Sequence, residues 1–442
     1  MRVTRICLMG AAAAIGALLV GCGGDGAKFG PGQMVVPPPE LVLPGPTTNG
    51  GTPPTPERQK TPGPWPTRGV TDYTQTYGLP YGVQSVGVDD AYNIWLLRGS
   101  EIGVLRPGTT SAVWASNIGQ AAGGFWSGGL ATNSTVICGG AANQAYVGYS
   151  TYDLPNARLE TVDDPEFRKG DMDVVQVNPD GTISLTEHLW RSTGTSQPWP
   201  HLNIGIRNSN DWHYDEDRTV FTCQKVMRGR DRGEIYIGTN HGVTRIRGLE
   251  YDSHRHPVWA RMTPNGPSLM LGYTFGLGIA QNGDVLIANE WKVAILPPPP
   301  ELGDWDSSVK APWALDTYNG QLNSLEDFDF WRGFQQTIDE NYYLGSNRYG
   351  LWQLIRKQSW ANWVKIAGLP TERINALAAT DDGSLYIGTD DAGLWRMDAQ
   401  KSFSRVSDVK GSKVQQLVYD PTVEPSMLYV LTPDAVTVIR GP

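Results

Sequence analysis

Three stretches of this chain are versions of one phrase: "GEIYIGTNHGVTRIRG" at 233–248, "ENYYLGSNRYGLWQLI" at 340–355 and "GSLYIGTDDAGLWRMD" at 383–398. Each reads as two short β-rich runs around a Gly-bearing turn. Apolar residues fall at alternate positions, the period of a strand whose successive side chains face opposite ways. A recurring phrase constrains the fold more than composition does, because each copy is one unit that buries its faces only against neighbouring copies.

The full unit adds an alternating apolar strand before the phrase and a less regular strand after it. In the clearest copy these four strands are predicted at 373–380, 384–389, 393–398 and 402–408. The same order occurs in "VQSVGVDD / NIWLLRG / IGVLRPG / SAVWAS" from Val83 to Ser116 and in "VFTCQKV / EIYIGTN / GVTRIRG / PVWARM" from Val220 to Met262. Further copies start at Gly276 and Gly333, and a weaker one spans Leu130 to Trp190. The last copy, "VQQLVYD / MLYVLT / AVTVIRG", has three strands, and "GVTDYTQTY" at Gly69–Tyr77 is the candidate for its fourth.

The fold predicted is all-β: a seven-bladed β-propeller of four-stranded blades over 69–442, closed by an N-terminal strand that completes the last blade. Closure of that kind leaves no open sheet edge. The spacing of roughly 43 to 57 residues suits propeller repeats. The 52 glycines, 32 prolines and only 18% charged residues suit short strands and tight turns. Asp381-Asp382-Gly383, Asp180-Gly181 and Asn282-Gly283 read as hairpin turns. A calcium loop would need several more oxygen ligands in fixed order.

These units resemble the two-component regulator propeller repeat, whose signature is a strand, a D-G turn, LWIGT and GLxRxD. The likeness is greatest at Leu377–Asp398 and Glu234–Arg247 and looser elsewhere. In that family the propellers are the extracytoplasmic sensor half of membrane histidine kinases. The resemblance therefore implies the fold and an exported ligand- or partner-binding role. No internal membrane span and no output module after the last blade are expected here, so phosphotransfer is not implied.

The N-terminus gives an address. Arg2 and Arg5 precede an apolar run from Ile6 to Val20, the pattern of a secretory signal peptide over 1–21. Leu19-Val20-Gly21-Cys22 resembles the lipobox of bacterial lipoproteins, which implies lipidation of Cys22. With Gly23 and Gly24 following and no Asp, the resemblance implies sorting to the outer membrane, periplasmic or surface-exposed. Residues 22–68, rich in Pro, Gly and Thr, are predicted to be a disordered tether between lipid and fold. Loss of the leader removes two arginines and no acid, taking the net charge of −9 to −11. Such a surface is repelled by phosphate backbones, so nucleic acid is excluded as a partner.

Cys138 and Cys223 then remain in an oxidising compartment. One disulfide and two buried free thiols both fit, and the buried thiols are slightly favoured because cysteine is among the most buried residue types.

Propellers bind at loops and at the channel mouth, so insertions are where function is sought. They are predicted near 153–172, 191–217 and 297–328. The second is richest: Trp199, His201, Arg207, Trp212, His213 and Tyr214 could stack on sugars or anchor a protein interface. The same aromatics could equally pin the loop to the blade edges. His254 and His256 sit two apart, but no third ligand has metal-site spacing, so neither a metal nor a cofactor is expected. No nucleophile elbow, phosphate loop, HExxH or triad spacing occurs. The function expected is a non-enzymatic, lipid-anchored envelope module that binds a protein or glycan partner. The alternatives are a polysaccharide lyase or hydrolase acting at the channel mouth, and an accessory ligand sensor for a separate membrane kinase.

Overall fold

The computed structural model describes residues 61–65, 69–122, 134–150, 172–189, 219–229, 232–239, 242–246, 274–289, 293–296, 316–317, 322, 331–357 and 360–442. All fall within the compact unit 50–442. They form six four-stranded sheets, one three-stranded sheet and one two-stranded pair. Apart from that pair, neighbouring strands within each sheet run antiparallel. In chain order the larger sheets, I to VII, begin with first strands Ser85–Val88, Ser134–Gly139, Val220–Lys225, Thr274–Ile279, Trp331–Gln336, Ile374–Ala379 and Gln416–Asp420.

Strand alternation explains how these sheets stack. In sheet I, Ile94 and Leu96 pack with Met427, Tyr429 and Leu431 of sheet VII. The intervening Trp95 and Leu97 pack with Ile137 and Val147 of sheet II. Sheet V behaves alike: Tyr342 packs with Leu286 of sheet IV, and Tyr343 with Ile374 and Leu385 of sheet VI. Further layers join II to III, III to IV and VI to VII. The core is thus a series of apolar layers between successive sheets, driven by burial of the alternating Val, Ile, Leu and aromatic positions.

The glycine of the recurring "YIGT" phrase has a defined job. A Cβ on Gly148 would press on Val220, and one on Gly345 on Ile374. One on Gly388 would meet Val414 in the same way, and one on Gly238 the carbonyl of Thr274. In each case the neighbour is at or just before the start of the next sheet's first strand. The missing side chain is what lets the next sheet approach.

The predicted turns are Asx turns. Thr182 N–H donates to Asp180, Asp284 N–H to Asn282 and Ser384 N–H to Asp382, at 2.9, 3.1 and 3.0 Å. Gly181, Gly283 and Gly383 take the left-handed conformation there, with φ of 90°, 90° and 84°.

Three details depart from the sequence reading. The N-terminal strand is shorter than predicted: Val70–Asp72 pairs with Val436–Arg440 of sheet VII, and Tyr73–Tyr77 is a helix. Asp72 caps that helix by accepting from Gln75 N–H at 3.0 Å, and Gly78 ends it at φ 60°. Sheet IV has a fourth strand, Asp316–Thr317, inside the segment expected to be an insertion. Part of the expected tether is also packed. Thr61–Pro62 pairs in parallel with Val423–Glu424, and Trp65 is buried against Tyr73 and Tyr77 with ring centroids 5.8 Å from each. Among the described residues, no helix is long and apolar enough to cross a membrane.

Candidate functional site

Trp199, His201, Arg207, Trp212, His213 and Tyr214 lie outside the described residues, as do Cys22, His254 and His256. Of the three predicted insertions, only Met172, 316–317 and 322 are described. The anchors of the first two insertions are informative. In sheet II, Ser134, Tyr149, Met172 and Leu189 share one edge by register. Segments 151–171 and 190–218 therefore both leave from the edge at which the first strands of sheets II and III begin.

A cavity of about 340 Å³ opens along the first strands, lined from all seven larger sheets. In five of them the second residue of the first strand is a β-bulge. Pairing skips Thr135, Phe221, Phe275, Arg332 and Asn375, each flanked by paired residues. All five line the cavity. A bulge re-aims its side chain out of the pleat, and five at one position make a rim. Sheets I and VII complete it with Gln84 and Gln415. The Phe221 and Phe275 rings lie 4.6 Å apart, and the Arg332 guanidinium sits 4.6 Å over the Phe275 ring, a cation–π geometry. Asn375 donates to the Val414 carbonyl at 3.2 Å and to Asp390 at 3.1 Å. Gln415 Oε1 and Thr135 Oγ1 are buried and have no hydrogen-bond partner among the described residues.

The opposite end of the first strands is tied by charge. The buried Lys225 ammonium donates to the Gly140 carbonyl at 2.6 Å and to Asp90 at 2.9 Å, joining sheet III to the turns of sheets I and II. Next to Asp90, Asp89 accepts from Trp95 Nε1 at 2.9 Å and from Asn93 Nδ2 at 2.7 Å. Burial raises the pKa of Asp89 above the ordinary aspartate value, and these donors offset only part of that rise. Arg228, just beyond the first strand of sheet III, pairs with Asp381, just beyond that of sheet VI. Both line a smaller space of about 110 Å³ that shares Gln224, Gln335 and Tyr419 with the larger cavity. That ion pair crosses from one set of sheets to another below the rim. Among the described residues, the charged side chains lining the larger cavity are Lys225 and Arg332, both cations.

Cys138 and Cys223 correct the free-thiol preference. They sit on the adjoining first strands of sheets II and III, with Cα atoms 6.1 Å apart, and are joined as a disulfide. That separation is within the usual range for a bridge. The sequence alone could not show that the two strands are neighbours.

No family model and no curated protein matches the chain. Solved structures do. The extracellular domain of a putative hybrid two-component system from B. thetaiotaomicron superposes with a TM-score of 0.51 at 13% identity, over 84% of this chain and 41% of that one. This chain thus spans well under half of that domain. Virginiamycin B lyase from Staphylococcus aureus gives 0.47 at 10% identity, over 84% and 98% of the two chains. YCF48 from Cyanidioschyzon merolae gives 0.48 at 10%, over 85% and 99%. At these identities the likeness to the two-component domain shows the fold alone: the chain has a β-propeller, repeat-type all-β fold.

Proposed function

We propose that this chain is a seven-bladed, closed propeller that works as a non-enzymatic binding or scaffold module, held at the outer membrane by lipid on Cys22. The observation that carries the binding role is the rim of bulged residues. Five sheets give up a ladder position at the same place, which costs pairing, and each thereby turns a side chain toward one cavity. Closure is supported by the apolar layer between sheets VII and I and by Val70–Asp72 joining sheet VII. Rigidity is supported by side-chain ties between sheets: Lys225 to Gly140 and Asp90, Ser85 to the Ile137 backbone at 3.0 Å, and the Cys138–Cys223 bridge. A rigid ring presents a pre-formed site and spares a partner the cost of ordering it. The partner read here is an envelope protein or glycan, engaged at the cavity mouth and by the insertion that carries Trp199, Trp212 and Tyr214.

The test is a capture from detergent-solubilised envelopes, using the intact lipoprotein beside a form with residues 196–215 replaced by a short Gly/Ser loop. A component held by the intact form and lost from the trimmed one is the expected result. Identical captures, or turnover of a polysaccharide by the purified protein, would overturn the reading.

A further inference from the structure

If the binding-module reading above holds, the groups lining the cavity limit what it can take. The space of about 340 Å³ meets the smaller one of about 110 Å³ at Gln224, Gln335 and Tyr419, which border both. The charges around the two spaces are already engaged. Lys225 donates to the Gly140 carbonyl and to Asp90, Arg332 lies over the Phe275 ring and has a further partner, and Arg228 is paired with Asp381. The amides at the junction are not. Gln335 makes no hydrogen bond among the described residues, and Gln224 donates to the Lys225 carbonyl at 3.1 Å while its Oε1 accepts from no described residue. Both side chains are half-buried. Gln336, next along the strand, is by contrast committed to the Gln281 N–H at 3.0 Å. Gly278 makes room for the free amide, since a Cβ there would lie 3.1 Å from Gln335 Nε2. Phe221 and Phe275 stand three residues before Gln224 and Gly278 on the same strands, about 10 Å nearer the rim. Their rings, 4.6 Å apart, give the mouth an apolar wall above a pair of amides.

We infer that the cavity takes the uncharged end of a neutral oligosaccharide, one ring lying with its C–H side on Phe221 and Phe275 and the next placing hydroxyls on Gln224 and Gln335. The Arg228–Asp381 pair spans the far side of the smaller space, so a chain molecule comes in from the rim by one of its ends. A peptide end carries an ammonium or a carboxylate. Burying either where every described charge already has a partner is costly, and an acidic sugar meets the same obstacle. The end of a neutral glycan brings no charge. Its hydroxyls donate and accept at once, and a primary amide offers a carbonyl oxygen and two N–H donors, so one glutamine can hold two adjacent hydroxyls. A purely apolar ligand would cover both amides without pairing them. The flat phenylalanine faces suit the C–H side of a sugar ring.

The experiment immobilises the full-length protein and offers it three probes: a mixture of neutral hexose and pentose oligosaccharides, a mixture of oligogalacturonates, and a random hexapeptide library. Mass spectrometry of the retained fraction should show a subset of the neutral oligosaccharides. Their retention should be equal at about 0.1 M and about 1 M salt, because no ion pair holds them. Gln335→Leu and Gln224→Leu, which keep bulk and lose the amide, should each lower retention about tenfold. Thermal melts that match the parent protein establish that both variants fold, and the comparison of probes on the parent protein needs neither variant. Retention that is indifferent to both substitutions, or that falls away at high salt, overturns the inference. Retention of oligogalacturonates alone overturns it in favour of an acidic glycan, and retention of hexapeptides alone overturns it in favour of a peptide. If no probe is retained while the envelope capture still depends on 196–215, the inference falls and the binding-module reading stands.

Discussion

Gln416 treats Val86 as a neighbouring strand would. Its Oε1 accepts the Val86 N–H at 2.9 Å and its Nε2 donates to the Val86 carbonyl at 3.0 Å, across 330 positions of sequence. The same Oε1 accepts from the Ser85 hydroxyl at 3.1 Å. One side chain of the last sheet thus satisfies both backbone groups of a residue in the first.

Removing it should therefore weaken the whole unit. Gln416→Ala leaves the Val86 N–H and carbonyl without their partner, at a cost of about 1–3 kcal/mol. Gln416→Glu replaces the donor to the Val86 carbonyl with a carboxylate oxygen and should also destabilise. Urea unfolding curves followed by tryptophan fluorescence would measure both.

The Cys138–Cys223 bridge spans a sequence separation of 85. Closing a loop of that size in the unfolded chain stabilises a fold by about 2–4 kcal/mol. The double variant Cys138→Ser, Cys223→Ser should lower the unfolding free energy by that amount, and alkylation of the untreated protein should label neither cysteine until it is reduced. Labelling of both under denaturing, non-reducing conditions would show that the bridge is absent.

Glu340 and Gly383 occupy the same place in the turns after the first strands of sheets V and VI, with φ of 62° and 84°. Glu340→Gly relieves an L-residue from the left-handed region and should be neutral or stabilising, by up to about 1 kcal/mol. Gly383→Ala moves the other way, because it adds that penalty and places a methyl 3.2 Å from Ile338 Cγ2. A loss of about 1–2 kcal/mol is expected. Thermal melts of the two variants side by side check the opposite signs.

Acid should destabilise the fold through its turns. Burial pushes Asp382 upward, but bonds from Thr380, the Ser384 backbone and Arg396 outweigh it, and the net pKa is lowered. Asp339 follows the same pattern, with Thr337 and Asn341 as donors. A carboxylate with a lowered folded pKa contributes stability that is fully present above its unfolded value, about 3.9. That contribution is lost as pH falls through the folded value. Asp89, raised by burial, acts in the opposite sense and offsets part of the loss. Asp382→Asn should flatten the decline in melting temperature between about pH 5 and pH 2, in a series of melts across that range.

Trp65 ties residues before the first sheet to the last one. It is buried with Tyr73 and Tyr77, and its carbonyl accepts from Arg440. Trp65→Ala should cost about 3–5 kcal/mol. Truncation before residue 61 should cost little, because it leaves the Thr61–Trp65 contacts in place. Melting both forms separates the packed end of the segment from the rest.

The repeat was legible because its signals are local. "LYIGT" and "GLWRM" carry strand periodicity, and Asp-Gly marks a turn within three residues, as Leu385–Thr389 and Leu394–Met397 bear out. The short elements escaped for separate reasons. Asp316–Thr317 is two residues long and is a strand only through pairing with Ala294 and Ile295. Tyr73–Tyr77 alternates no better than it winds, and the Asp72 cap with Gly78 decides for helix. The rim was illegible for a further reason. Phe221 and Phe275 read as ordinary strand residues, and only the skipped pairing at each turns them to the cavity. The disulfide needed the knowledge that sheets II and III are neighbours.

The most direct measurement is photocrosslinking from the rim in intact cells that make the protein. A benzoylphenylalanine at position 221 of the full-length protein keeps an aromatic ring beside Phe275. The expected result is one discrete adduct with a single cellular component, absent when residues 196–215 are replaced by a short Gly/Ser loop. A smear of adducts indifferent to the loop replacement, or no adduct at all, would contradict a binding site at the cavity mouth.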